Sequence, residues 1–393
     1  MNNISDKAFK SPLLIFVMIL LSLAIYLCKI GGYGSDEDTL PMIGTFETIL
    51  STGKYMSSRF TGYPVAEIII GFFSFFFGSF YINILIFFSF FLSLIIIYAS
   101  FEKKFHFENK LYLFLVLSLS NPVLFFDNLE PIDYSLALLF FSLGIYFFRY
   151  KKFQLSVLFF AICIGTRINF AIFIISFIFL NDLEFKKYFI KEKFFIAFNS
   201  IFFGCLFYTP IWFSSKFSLS WLTAARPTDQ GILGLSARYF YKLWLTFGNY
   251  SFFLLIFIIF LLLTKKKKII KKNLTYIGII ISNLLLFFYI PAELSYLQPC
   301  LIFLYLLLIK NIEKKFIYSI IFLNFFSWAI KFDIVQIKYK FDLGETCKNI
   351  TREAVDVDFS LYIKEGSFNN FIKTRNTVIC YSNDEINSER YNK

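Results

Sequence analysis

Residues 31–78 read GGYGSDEDTLPMIGTFETILSTGKYMSSRFTGYPVAEIIIGFFSFFFG. The stretch opens with Asp36, Glu37 and Asp38 and continues into a helix-length segment. A Gly53-Lys54-Tyr55 turn, a lone Arg59 and Gly62-Tyr63-Pro64 then lead into an apolar run that carries Glu67. It is the first long polar interruption in a chain otherwise built of apolar runs. Whether its apolar half crosses a membrane or lies on it decides the topology of everything downstream.

The chain has 393 residues, 58% of them hydrophobic and 17% charged. A soluble domain cannot hide that much apolar surface. The apolar runs are roughly 16 to 24 residues long, close to the ~20 that cross a bilayer. The composition therefore predicts an all-α, polytopic integral membrane protein. The net charge of +12 lies mostly in short clusters between those runs, as topology signals, and is no footprint of nucleic acid. The single histidine, His106, leaves little material for a zinc site or a Ser-His-Asp triad. No CxxC pair is present. Cys347 and Cys380 lie in a polar tail and would suit a disulfide if that tail is outside the cell. The first run, 12–28, follows Lys7 and Lys10 and reads as an uncleaved span.

Apolar runs fall near 12–28, 64–80, 82–101, 111–126, 132–148, 153–180, 194–213, 239–263, 274–290, 294–309 and 316–331. Between them lie lysine-rich patches at 103–110, 149–152, 186–193, 265–272 and 310–315. The positive-inside rule places all of these in the cytoplasm. Only one crossing then fits between Pro64 and Lys103. Glu67, Gly71, Ser74 and Gly78 form one helical stripe, so 64–80 reads as a juxtamembrane helix and 82–101 as the second span. The run 153–180, basic at both flanks, must go out and return, with Gly165-Thr166-Arg167 as its break. Alternation gives about eleven spans. It divides the chain into a membrane domain, 1–335, with a first outer loop at 31–80, and a small outer tail, 336–393.

This topology gathers one kind of residue on the outer face. The first loop supplies Asp36, Asp38, Arg59 and Glu67; DNLEPID supplies Asp127, Glu130 and Asp133. The later turns and loops supply Arg167, Arg226, Arg238, Glu293 and Tyr296. Arginines beside carboxylates at a membrane surface suit a phosphorylated lipid. The guanidinium clamps a phosphate and a carboxylate takes a proton from an attacking hydroxyl.

The order of these features resembles the GT-C superfamily of membrane glycosyltransferases, which includes the dolichyl-phosphate-mannose mannosyltransferases and the aminoarabinose transferases. The resemblance lies in Asp38 before a helix ending near Gly53, and in Arg59 before the Gly62–Pro64 lead into a helix ending at Phe77-Gly78. Pro131 with Asp133, then Gly165 with Arg167, and finally Glu293, Tyr296 and Pro299 complete it. It covers the first 180 or so residues well and the rest loosely. It implies inverting transfer from a polyprenyl-phosphate-sugar donor to a lipid, glycan or protein acceptor, on the extracytoplasmic face of a bacterial inner membrane. In it Asp38, with Asp36 in reserve, matches the catalytic base, and Asp133 matches the second-loop acid. Arg59, Glu67, Glu130, Arg167, Arg226, Arg238, Glu293 and Tyr296 match substrate-binding positions. Related chains often carry Arg or His directly before the late Tyr, where this chain has Ser295. The resemblance implies no nucleic acid and no assigned metal site, although the first-loop acids offer ligands to a divalent cation.

Each feature also has a plainer reading. The acids at 36–38 suit a helix N-terminus, Glu67 suits a solvated surface, and Arg167 suits an ion pair with Asp133 or Glu130. Two other activities fit the topology, an O-antigen polymerase or ligase and a lipid or solute transporter. The early acidic loop and the absence of a visible repeat favour the glycosyltransferase.

Overall fold

The computed structural model describes residues 12–34, 39–58, 62–102, 109–180, 189–214, 231–265, 273–291, 293–342 and 351–375. The chain is mostly helical. Among the described residues three helices are long and apolar enough to cross a membrane, Pro12–Ile30, Pro64–Phe101 and Leu294–Asn311. In chain order the early elements are α1 (Pro12–Ile30), α2 (Thr39–Thr52) and α3 (Pro64–Phe101).

The reading of 64–80 as an element separate from 82–101 has a structural counterpart. Gly78 adopts φ 79°, ψ −177° and interrupts the helical backbone of α3. A side chain is strained at that φ, so glycine marks the break. The limb before it packs against α2, with Phe46 seated among Phe72, Phe75 and Phe76. Gly71 lets α2 approach this closely, since a Cβ there would lie 2.7 Å from that of Phe46.

Two runs expected to be single spans are bent. The first is broken between α4 (Asn109–Ser120) and α5 (Pro122–Phe126), by 88°. Pro122 cannot donate to the preceding turn, and Asn121 Oδ1 accepts from Leu124 N at 3.0 Å to start the new helix. Next come α6 (Tyr134–Arg149), α7 (Phe153–Thr166), α8 (Phe170–Leu180), α9 (Ile190–Leu206) and α10 (Thr209–Ser214). The expected break at Gly165–Arg167 thus separates α7 from α8. The second bent run joins α11 (Gly231–Thr246) to α12 (Ser251–Lys265) at 99°. Gly248 (φ 89°) and Asn249 (φ 55°) turn the chain there.

The next helices are α13 (Leu274–Tyr289), α14 (Gln298–Asn311) and α15 (Lys314–Ala329). They pack so that the two breaks meet. Asn121 Nδ2 donates to Thr246 O at 2.9 Å and to Tyr305 Oη at 3.1 Å. From α15, Asn324 donates to Ser120 Oγ at 3.1 Å and accepts from Ser251 Oγ at 2.7 Å. Trp328 Nε1 donates to Ser120 O, and Ser327 Oγ to Gly248 O, both at 2.8 Å. Backbone freed from a helix among apolar neighbours must find partners inside the protein, and these side chains supply them. Asn121→Leu removes three of these bonds. It is expected to cost roughly 2 kcal/mol, read as earlier loss of the monodisperse peak on heating before size exclusion. An unchanged profile would mean that the breaks are held elsewhere.

The bundle has two chemically distinct ends. At one, Arg149 Nη1 donates to Ala99 O and Ser100 O, each at 2.5 Å. Lys310 Nζ donates to Phe101 O at 3.1 Å and Tyr276 Oη at 2.6 Å, and pairs with Glu102 at 3.4 Å. Thr275 Oγ1 donates to Leu180 O at 3.0 Å. Residues within or flanking all five lysine-rich patches therefore converge on this end. The residues at the other ends of the same helices, Asp133, Arg167, Glu293 and their neighbours, converge opposite.

The C-terminal region departs from the all-α expectation. Strands β1 (Ile330–Asp342) and β2 (Thr351–Glu365) form an antiparallel hairpin, followed by helix α16 (Ser367–Arg375). β1 follows α15 without a linker and runs through residue 335. The alternation in IKFDIVQIKYKFD and AVDVDFSLYIK has period two, the signal of a strand. A reading by polarity alone takes the same residues for a tail. Cys347 and Cys380 lie outside the described residues.

Candidate functional site

The end opposite the lysines is organised around Arg167. The residue caps α7 in extended conformation, φ −151°, ψ 114°, and its side chain is 1% exposed. Nη1 pairs with Asp133 Oδ1 at 3.1 Å, and Asp133 is fully buried at the start of α6. Nη2 donates to Tyr63 Oη at 3.2 Å. The guanidinium carbon lies 3.4 Å from the ring centre of Tyr134 and 4.7 Å from those of Tyr63 and Tyr296. Arg167 thus joins the start of α3, the start of α6, the end of α7 and the turn before α14. The expected residues Asp133, Arg167 and Tyr296 are brought together, as an enclosed ion pair inside a cage of phenols.

Glu67 is likewise turned inward. It is fully buried, and its carboxylate accepts from Tyr55 Oη, from Ser58 Oγ at 2.5 Å and N at 3.3 Å, and from Tyr63 N at 3.1 Å. Burial first, and the neighbouring Glu67 carboxylate next, push the Tyr55 phenol well up, so it remains a donor. The expectation of Glu67 on a surface facing substrate is therefore replaced. It clasps the loop between α2 and α3.

Beside the Arg167 cage lies a cavity of about 440 Å³. Asp127, Glu130, Glu293 and Ser295 line it, together with Lys242 and Lys331. Part of its wall comes from the helix breaks, with Pro122 and Val123 from the first and Leu245 and Asn249 from the second. Carboxylates, ammonium groups and apolar surface face one space. Glu293 Oε2 accepts from Tyr134 Oη at 2.7 Å, and Asp127 Oδ2 from Ser295 Oγ at 2.7 Å. Tyr134 therefore links the cavity acid Glu293 to the Arg167 cage. Glu130 lies against Gly34, where a Cβ would come 2.9 Å from its carboxyl carbon.

Of the expected site residues, the structure puts Glu130 and Glu293 in this cavity. Asp133, Arg167 and Tyr296 sit in the cage behind it, and Glu67 in the neighbouring clasp. Arg238 is half-buried on α11, one turn before Lys242, and does not line the cavity. Asp36, Asp38, Arg59 and Arg226 lie outside the described residues. Among the described residues no group of three or more His, Cys, Asp or Glu side chains is arranged to hold a metal ion.

Sequence reasoning passed over Lys242 and Lys331. Lys242 is a lone charge in YFYKLWLTF, a run that reads as part of a span. An ionisable residue inside an apolar helix is itself a functional signal. Lys331 stands where α15 gives way to the hairpin, and only the strand assignment brings it back over the bundle. No protein-family model matches the chain, nor does any curated protein or solved structure.

Proposed function

We propose that the protein is a membrane glycosyltransferase that moves a sugar from a polyprenyl-phosphate donor to a lipid, glycan or protein acceptor. The observation that carries this reading is the cavity at the acid end. Three carboxylates and two ammonium groups face one space bounded by apolar helices. Sugar hydroxyls donate to carboxylates, a phosphate requires cations, and a prenyl tail requires apolar surface. The convergence of the lysine patches supports a cytoplasmic lysine end and an extracytoplasmic cavity, with about eleven crossings of a bacterial inner membrane.

In this reading Asp38, with Asp36 as the alternative, takes the proton of the acceptor hydroxyl. The acceptor oxygen bonds to the anomeric carbon as the bond from that carbon to the phosphate oxygen breaks, with inversion. The lipid phosphate leaves carrying the electron pair. Gly34, two residues before Asp36 in the sequence, lies against the cavity acid Glu130. Asp133 and Arg167 hold the helix ends that shape the site.

The test is transfer by the purified protein in nanodiscs, offered a panel of polyprenyl-phosphate sugars and membrane glycolipids. Asp38→Asn is expected to lower turnover at least about 100-fold with unchanged expression and melting. Failure of every donor, or an Asp38→Asn protein as active as wild type, would sink the proposal. One observation favours a second reading. Two broken helices meeting at a polar cavity also describe a transporter site. A transporter would move solute across proteoliposomes irrespective of Asp38.

A further inference from the structure

The cavity is closed in part by the C-terminal unit. Lys331 of β1 and Ser367 and Phe371 of α16 line it. The unit is fastened to the bundle at three points. Asn249, inside the second helix break, donates to Phe332 O at 2.7 Å and accepts from Phe332 N at 3.1 Å. Gly366 N donates to Ala329 O at 2.9 Å, and a Cβ at Gly366 would run into the Trp328 carbonyl oxygen. Phe371 is buried and packs on Phe126, another cavity residue, with ring centres 5.2 Å apart. Both ends of the hairpin base and the middle of α16 are thereby held at the site.

The charges on this wall are engaged with their surroundings. None of Asp127, Glu130, Glu293, Lys242 and Lys331 is free of partners, and Lys242 lies within electrostatic reach of Glu293 and Asp127. Such a wall grips a ligand by hydrogen bonds rather than by net charge. A carboxylate offers roughly four acceptor positions. Neutral hydroxyls already take one on Glu293, from Tyr134, and one on Asp127, from Ser295. A sugar ring donates through the same kind of group. Ser367 adds a hydroxyl, and Phe126 and Phe371 add apolar surface for the C–H face of a ring. At about 440 Å³ the space has the size of a small-molecule site. We propose that the cavity holds an uncharged sugar ring and that the C-terminal unit, through Ser367 and Phe371, selects which sugar fits. The inference rests on the reading above in taking that ring from the lipid-linked donor; the glycan of an acceptor presents the same chemistry.

The experiment uses the full chain in nanodiscs. The probes are polyprenyl-phosphate glucose, galactose and mannose, bare polyprenyl phosphate, and the methyl glycosides of the same sugars. Hydrogen exchange of the α16 backbone amides is read by mass spectrometry. A sugar-bearing donor is expected to slow that exchange roughly fivefold or more, and bare polyprenyl phosphate to leave it unchanged. Protection by a methyl glycoside and not by the donors would place the acceptor's sugar in the cavity. Ser367→Ala and Phe371→Ala should each change the ratio of kcat/KM between donors that differ at one hydroxyl by about tenfold. Lys315→Gln, at a side chain 70% exposed, should leave that ratio unchanged. Gly366→Val keeps both wall residues and undocks the hairpin base, so protection and preference should be lost together. Ser367→Ala carries the test if that variant does not stay monodisperse. If wild type transfers sugar but α16 exchanges alike with every probe and both alanine variants keep the wild-type preference, this inference falls and the glycosyltransferase reading stands. If no donor is turned over while a methyl glycoside protects α16, the sugar site stands and the glycosyltransferase reading falls. Protection by bare polyprenyl phosphate alone, or by no probe, overturns the site.

Discussion

Arg167→Met is expected to destabilise the protein by about 3–5 kcal/mol. Its partner Asp133 is fully buried, 3.1 Å away, at the first turn of α6. Removing the guanidinium leaves that carboxylate enclosed without its counter-charge, which costs far more than an exposed pair would. The loss extends beyond charge. The planar group lies 3.4 Å from the Tyr134 ring centre and bonds Tyr63, so a flexible chain cannot fill the cage as well. Arg167→Lys should therefore recover only part of the loss. The double variant Arg167→Met, Asp133→Leu should melt above Arg167→Met alone, because no charge is then stranded. Heating followed by size exclusion of wild type, Arg167→Met, Asp133→Leu and the double variant gives the coupling directly. An Arg167→Met protein that melts with wild type would show that the pair does not hold the helix ends.

Glu67→Leu is the second large effect, expected at about 2–4 kcal/mol. The carboxylate accepts from four groups, two of them the backbone amides of Ser58 and Tyr63. Leucine conserves bulk and offers none of them a partner. The loop can open to water to satisfy its own donors, which keeps the cost below the sum of four orphaned groups. That opening is the readout. Lys54 is exposed in this loop, and tryptic cleavage after it should accelerate roughly tenfold or more in Glu67→Leu. Glu67→Gln, which keeps one acceptor oxygen but turns an amide toward donors, should fall between. Unchanged cleavage would mean that the loop is fixed by other contacts.

These two residues show how far the sequence carries. A buried arginine at a break between short apolar helices and an acid in an apolar run both stood out against their surroundings. The outer-face topology offered Arg167 either Asp133 or Glu130, and the structure pairs it with Asp133; that Glu67 reaches Tyr55 was not legible. Pairing Arg167 with Asp133 spans 34 positions, and Glu67 reaches back 12 to Tyr55. Neither spacing follows a helical or strand period, so no local pattern announces it. The break at Gly78 was readable because a crossing count demanded it. The breaks at Asn121 and Gly248 leave the lysine parity unchanged, so no count required them.

The sequence alone determined the helical class of this protein. Its long apolar runs make helices apolar enough to cross a membrane, and clustered lysines separate them, because hydrocarbon excludes both charge and unpaired backbone. The tertiary structure decided where backbone could leave the helix. Asn121, Asn249 and Asn324 satisfy freed groups on distant helices, and only their packing creates a cavity at two breaks. It also decided which charges face that cavity. Arg167 and Glu67, read from the sequence as substrate-binding positions, are consumed by internal partners. Lys242 and Lys331, one hidden in an apolar run and one in a tail, are turned toward the open space.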